Sequence, residues 1–166
     1  MSSSSNLLAT IKLWVDKFMQ WLCIAIVGLM CVLVTYQVVT RYVFNAPSAV
    51  SEVLARYLFI WLILFGGAYV FGCREHLSIA YVKQKLSAKG QIFADMISEL
   101  AILLFTLSIM LFGGYHIAMR QMWQMDSALQ LPMGVIYSAI PLAGIIILFY
   151  ALYNQIQLVK KWKTLG

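Results

Sequence analysis

The chain has 166 residues, 63% of them hydrophobic and 11% charged, with a net charge of +6 at pH 7 and a mean hydropathy of +0.86. That length gives room for one domain, and so apolar a composition lies far from the soluble average, so lipid is the expected solvent for most of the chain. The positive charge does not indicate nucleic acid, because the lysines and arginines lie between apolar runs rather than in one stripe.

In chain order, the first six residues, MSSSSN, form a short polar tail expected to fray. Leu7 to Lys17 then suits the helical entry to a membrane, with Trp14 at headgroup depth. Phe18 to Thr40 carries no charge, and at 1.5 Å per residue it reaches roughly 35 Å, enough for a hydrocarbon core. It is too long for a signal-peptide core and shows no convincing cleavage site, so it is expected to be retained. Four spans are expected in all, at about residues 10–41, 50–72, 92–120 and 132–156. The whole chain then reads as one integral membrane domain of the all-α class. Between the second and third spans, CREHLSIAYVKQKLSAKGQ is basic, with Ile79, Val82, Leu86 and Phe93 at helical spacing. It is expected to form a short amphipathic surface helix, with Lys83, Lys85 and Lys89 toward anionic lipid headgroups; an irregular loop is the alternative. Gly66–Gly67 in the second span and Gly113–Gly114 in the third invite close helix packing. Pro141 lies inside the fourth span, where it removes the hydrogen bond to the Tyr137 carbonyl and kinks the helix.

The stretch Gln37 to Arg56, QVVTRYVFNAPSAVSEVLAR, joins the first two spans and holds Arg41, Glu52 and Arg56. Pro47 ends one helix before it and lets a second begin after it. Glu52 and Arg56 lie one turn apart, with the acid N-terminal, the better order. Exposed, the pair contributes only about 0.3–0.5 kcal/mol, whereas a charge at the bilayer centre costs roughly 2.5–3.5 kcal/mol. These groups are therefore expected near the water interface or against a protein partner.

The residues Gln37, Arg41, Tyr42, Val43, Phe44, Asn45 and Pro47 carry a family pattern. It continues through Ser51, Glu52, Ala55, Arg56, Trp61, Gly66, Ala68 and His76, and then through Pro132, Tyr137, Pro141 and Gly144 in LPMGVIYSAIPLAG. In order and spacing they resemble the small membrane subunit (DctQ-like, Q subunit) of TRAP transporters, the tripartite ATP-independent periplasmic family. Val50 stands where that family often has Trp, and Val53 where a second acid is common. The resemblance implies a scaffold in the bacterial inner membrane, surrounded by membrane lipids, that pairs with a large TRAP membrane subunit. It also implies sodium-driven uptake of an organic acid, sialic acid among the candidates, delivered by a periplasmic substrate-binding protein. Within that reading Arg41, Glu52 and Arg56 are the expected functional contacts, made either to a partner or among themselves to fix helix register. Trp61, Gly66, Gly67, Tyr69 and Pro141 are further candidates for the intersubunit face.

The Lys and Arg count sets the orientation. Lys12, Lys17, Arg74, Lys83, Lys85, Lys89, Lys160, Lys161 and Lys163 fall on one side, and Arg41, Arg56 and Arg120 on the other. Both termini are then cytoplasmic. His76 and His116 fall on opposite sides under this topology, which argues against a bis-histidine haem. No cofactor, metal or catalytic constellation is expected, and three cysteines without a CxxC read as buried structural thiols. A stand-alone exporter or channel is the first alternative. It is weakened because no span carries Asp, Glu, Lys or Arg in its middle. A membrane anchor of a respiratory enzyme is the second.

Overall fold

A computed structural model describes the backbone of residues 2–73 and 88–164. Among the described residues, four helices are long and apolar enough to cross a membrane: Leu7–Tyr42, Ala49–Gly72, Lys89–Trp123 and Met133–Lys163. The all-α class and the four expected spans are therefore present. The surface helix expected between the second and third spans, with Lys83 and Lys85, lies outside the described residues.

The first helix runs from Ser2 to Tyr42, so it includes the N-terminal serines expected to fray. No proline interrupts that run, and its one glycine, Gly28, lies deep in the apolar body, so the helix propagates outward through the serines. It ends where Val43 N–H reaches the Val39 carbonyl at 2.9 Å and Ala46 N–H reaches Thr40 at 3.0 Å. Asn45 takes a left-handed φ of 49° there, a conformation that Asn tolerates better than most residues. Ser48 then caps the second helix, accepting from Ser51 N–H. The hairpin is tied by Gln37 Nε2, which donates to the Ser51 carbonyl at 2.8 Å.

The third helix is not regular. It is α-helical over Ala88–Phe105, π-helical over Thr106–Gly113, α-helical again over Gly114–Arg120 and 3₁₀ over Gln121–Trp123. The fourth helix breaks once, between Met133–Tyr137 and Ala139–Thr164. That break lies just N-terminal to Pro141, whose ring excludes a normal turn onto the carbonyl four residues back.

The fourth helix is the centre of the bundle. A third of its most apolar window (33%) is buried, against 6% for the first helix. It packs on both the second and third helices, while the first helix lies along the second. One core cluster joins Met19, Ile26, Phe65, Ala68 and Ala143. A second joins Phe71, Tyr150 and Ala151. Most other large apolar side chains face outward, which suits a protein whose solvent is hydrocarbon. Cys31 and Cys73 are exposed and Cys23 half-buried, so two thiols depart from the expected burial. A thiol is apolar enough that lipid leaves it no reason to turn inward.

Candidate functional site

Three places in the bundle carry polar chemistry: the hairpin end, the end bearing the chain termini, and a groove between them. At the hairpin end Arg41, Glu52 and Arg56 are all exposed. Arg56 meets Glu52 at 3.3 Å, with both side chains about two-thirds exposed (64% and 66%). Arg41 makes no ion pair among the described residues, so the expected trio is a pair plus a free arginine.

Next to Arg56, the Tyr57 hydroxyl donates to Asp126 Oδ2. This contact clamps the loop between the third and fourth helices onto the second. Asp126 organises that loop: its Oδ1 accepts from Ala128 N–H at 2.9 Å and Leu129 N–H at 2.8 Å. Its own N–H donates to the Leu131 carbonyl at 2.9 Å, and Met133 N–H closes onto Gln124 at 2.8 Å. Gln130 adopts a φ of 54° to complete the turn. The Tyr57 hydroxyl holds the Asp126 carboxyl below its usual range, helped by the Leu129 and Ala128 N–H groups and the Arg56 charge. Neither Tyr57 nor Asp126 stands out in the sequence; an acid followed by small residues in a loop was the available signal for the turn.

At the opposite end Lys12 pairs with Asp16 at 2.6 Å, each side chain 21% exposed. The fully buried Tyr150 donates its hydroxyl to Asp16 Oδ1 at 2.6 Å. The Lys12 ammonium lies 5.6 Å from the Tyr150 ring centroid and 6.0 Å from that of Tyr153. The Tyr150 ring rests on Gly72, where a Cβ would collide with it. One tyrosine thus joins the first, second and fourth helices. Sequence reading missed it because its partners are 134 residues apart for Asp16 and on another helix for Gly72.

Between these ends, the second and third helices flank the fourth and leave a groove of about 410 Å³. Gly67 and Thr106 are among its lining residues. Gly66 and Gly67 have nothing within 4 Å of an added Cβ, so they serve no close packing inside this chain. Gly114 does: a Cβ there would lie 2.8 Å from Ile140 and 3.1 Å from the Pro141 ring. The half-buried Pro141 therefore seats against the third helix of its own chain. Gly113 has only an ordinary contact, 3.6 Å to the Ser108 carbonyl. Trp61 is half-buried and edge-on to Phe65 at 5.6 Å, and Tyr69 packs at the margin of the first core cluster. Thr106 is 0% exposed, and its hydroxyl has no hydrogen-bond partner. An unpartnered buried hydroxyl costs about 1–3 kcal/mol.

Lys89 is exposed at the start of the third helix. His116 is also exposed, edge-on to Phe112 at 4.6 Å, while His76 lies outside the described residues.

Comparison with known proteins accounts for this architecture. Residues 30–161 match the family described as "Tripartite ATP-independent periplasmic transporters, DctQ component". The chain is 31% identical over 134 residues to a putative TRAP transporter small permease protein of Haemophilus influenzae, covering 81% of this chain and 83% of that one. It is 24% identical over 146 residues to the sialic acid TRAP transporter small permease protein SiaQ of Vibrio cholerae, covering 88% and 84%. With four apolar helices it is a multi-pass inner-membrane protein and a transport subunit rather than an enzyme. The chain belongs to the DctQ family, the small permease subunits of TRAP transporters.

Proposed function

We propose that this subunit pairs with a large TRAP membrane subunit and serves the sodium-driven uptake of an organic acid brought by a periplasmic substrate-binding protein. The observation that carries this reading is the family match, which covers the second, third and fourth helices almost throughout and the last third of the first. The distribution of charge supports it. No Asp, Glu, Lys or Arg lies between Lys17 and Arg41, Arg56 and Arg74, Glu99 and Arg120, or Asp126 and Lys160. A chain with bare spans lacks the midplane groups by which a self-contained ion-coupled carrier works. Sialic acid is the first substrate to test, because a relative bears that name. The termini are cytoplasmic in this reading, with the Arg41–Arg56 hairpin and the Asp126 loop in the periplasm. Lys83, Lys85 and Lys89 then face anionic headgroups.

Arg41, Glu52 and Arg56 are the polar contacts offered to partners, with Trp61, Gly66, Gly67, Tyr69 and Pro141 serving the intersubunit face or helix register. Purification through a C-terminal tag from native membranes should bring a stoichiometric large permease. The pair, with its binding protein, should take up labelled substrate into vesicles only under an inward sodium gradient. Isolation of a stable chain without any permease would overturn the reading. Reversing Arg56 to Glu should lower association or uptake, and normal behaviour in both would remove the hairpin charges from the partner contact.

A further inference from the structure

We propose that residues 114–137 form a cap hinged on the rest of the bundle, and that the Tyr57–Asp126 hydrogen bond is the latch that holds this cap against the second helix. The motion belongs to the chain itself and needs no partner. The third and fourth helices both lose regular α pairing at one level. The third passes from π to α at Gly113–Gly114, and the fourth breaks at Ser138. The two junctions touch: a Cβ on Gly114 would lie 2.8 Å from Ile140 and 3.1 Å from the Pro141 ring. Prolines and π segments are where helices bend, so two bends at one height give both helices a common hinge.

Each side of the hinge is packed on itself. Within the cap, a Cβ on Gly134 would collide with the Ala118 carbonyl and lie 2.8 Å from the Met122 side chain. Ala118 and Ile136 are buried, and Met133 N–H closes the loop onto Gln124 at 2.8 Å. The two short helical pieces and their loop therefore make one body. On the other side, a Cβ on Gly144 would lie 3.0 Å from Met110 and 3.2 Å from Leu111, so the π segment is held closely to the fourth helix. The cap meets the second helix differently. An apolar cleft of about 310 Å³ lies between them, lined by Tyr57, Ile60 and Leu64 on one wall and Met133, Ile136 and Tyr137 on the other. The Tyr57 hydroxyl crosses it to Asp126 and to the Met133 sulfur, the latter at 3.4 Å. One side chain thus bridges a gap that apolar packing does not fill. Releasing it lets the cap swing and changes the width of the cleft, while the core clusters around Ala68 and Tyr150 stay in place.

Spin labels test this in the full chain in lipid nanodiscs, with Cys23, Cys31 and Cys73 replaced by alanine. Phe59, Met119 and Leu152 are exposed, so labels at 59 and 119 report the cap against the second helix, and labels at 59 and 152 report the body. Tyr57→Phe keeps the ring and removes the latch. It should broaden the 59–119 distance distribution about twofold and leave the 59–152 distribution unchanged. Adding Pro141→Ala returns the missing N–H and removes the ring clash, so the 59–119 width should fall back toward that of the wild type. A 59–119 distribution in Tyr57→Phe as narrow as in the wild type, the sign of loop fraying alone, would overturn the cap. Equal broadening of both pairs, or broadening that Pro141→Ala leaves undiminished, would overturn it as well.

Discussion

Two ion pairs of the same i, i+4 spacing hold opposite ends of this bundle, and they differ in nearly everything else. Glu52–Arg56 has the acid first, the order that helices favour, and lies in solvent-facing side chains. Lys12–Asp16 has the less favourable order, yet it is 21% exposed and carries a buried tyrosine hydroxyl from 134 residues away. Local pairing rules thus rank them in reverse. What makes the second pair structural is its third member, because Tyr150 converts a local helix contact into a link across the bundle. The first pair is left with its hydrogen-bonding capacity turned outward, toward whatever meets the hairpin.

The comparison can be broken most forcefully at Asp16. Asp16→Ala strands the buried Tyr150 hydroxyl and removes the partner of Lys12, and should lower stability in detergent by about 2 kcal/mol, read as a fall in melting temperature. Tyr150→Phe keeps the ring on Gly72 and loses only the hydrogen bond, so the drop should be smaller, about 1 kcal/mol. At the hairpin end Tyr57→Phe should leave global melting nearly unchanged. It should instead raise hydrogen exchange in residues 124–133, because it frees the loop that Asp126 organises. That clamp has a defined pH sense. The folded Asp126 carboxyl titrates below its unfolded value, so its stabilisation is complete above the ordinary aspartate range and is lost as pH falls through and beneath it. Loop protection should therefore persist at pH 5–8 (above the ordinary aspartate value of about 3.9) and fail only in stronger acid. Glu52→Gln should change melting least, by no more than about 0.5 kcal/mol.

The spans, the hairpin at Pro47 and the break near Pro141 are legible because each is written locally, in apolar run length or in proline's missing donor. The glycines show where that legibility stops. All four paired glycines look alike in sequence, yet only Gly114 touches a neighbour closely, and Gly72, standing alone at a helix end, supports Tyr150. Which glycine is covered depends on helix rotation, and four helices apolar nearly all round give no moment from which to read it. The π-helical segment was hidden for the same reason: TLSIMLFG contains nothing that forbids an α-helix. The Asp126–Tyr57 contact is not legible in the sequence, because it depends on how a loop folds back over 69 residues of separation.

That the fourth helix is the centre of the bundle has a consequence for how the protein is made. It is the last span to leave the ribosome, yet the second and third helices rest on it rather than on each other. During synthesis the first two helices can pair as a hairpin, but the third must persist as a separate lipid-solvated rod until the fourth arrives. Docking of the third helix waits for the fourth. A chain truncated after Gln130 and released should insert all three spans, yet leave the loops flanking the third as open to protease as those of an unassembled membrane protein. Adding residues 131–166 should close the hairpin and the third helix onto the fourth in one step.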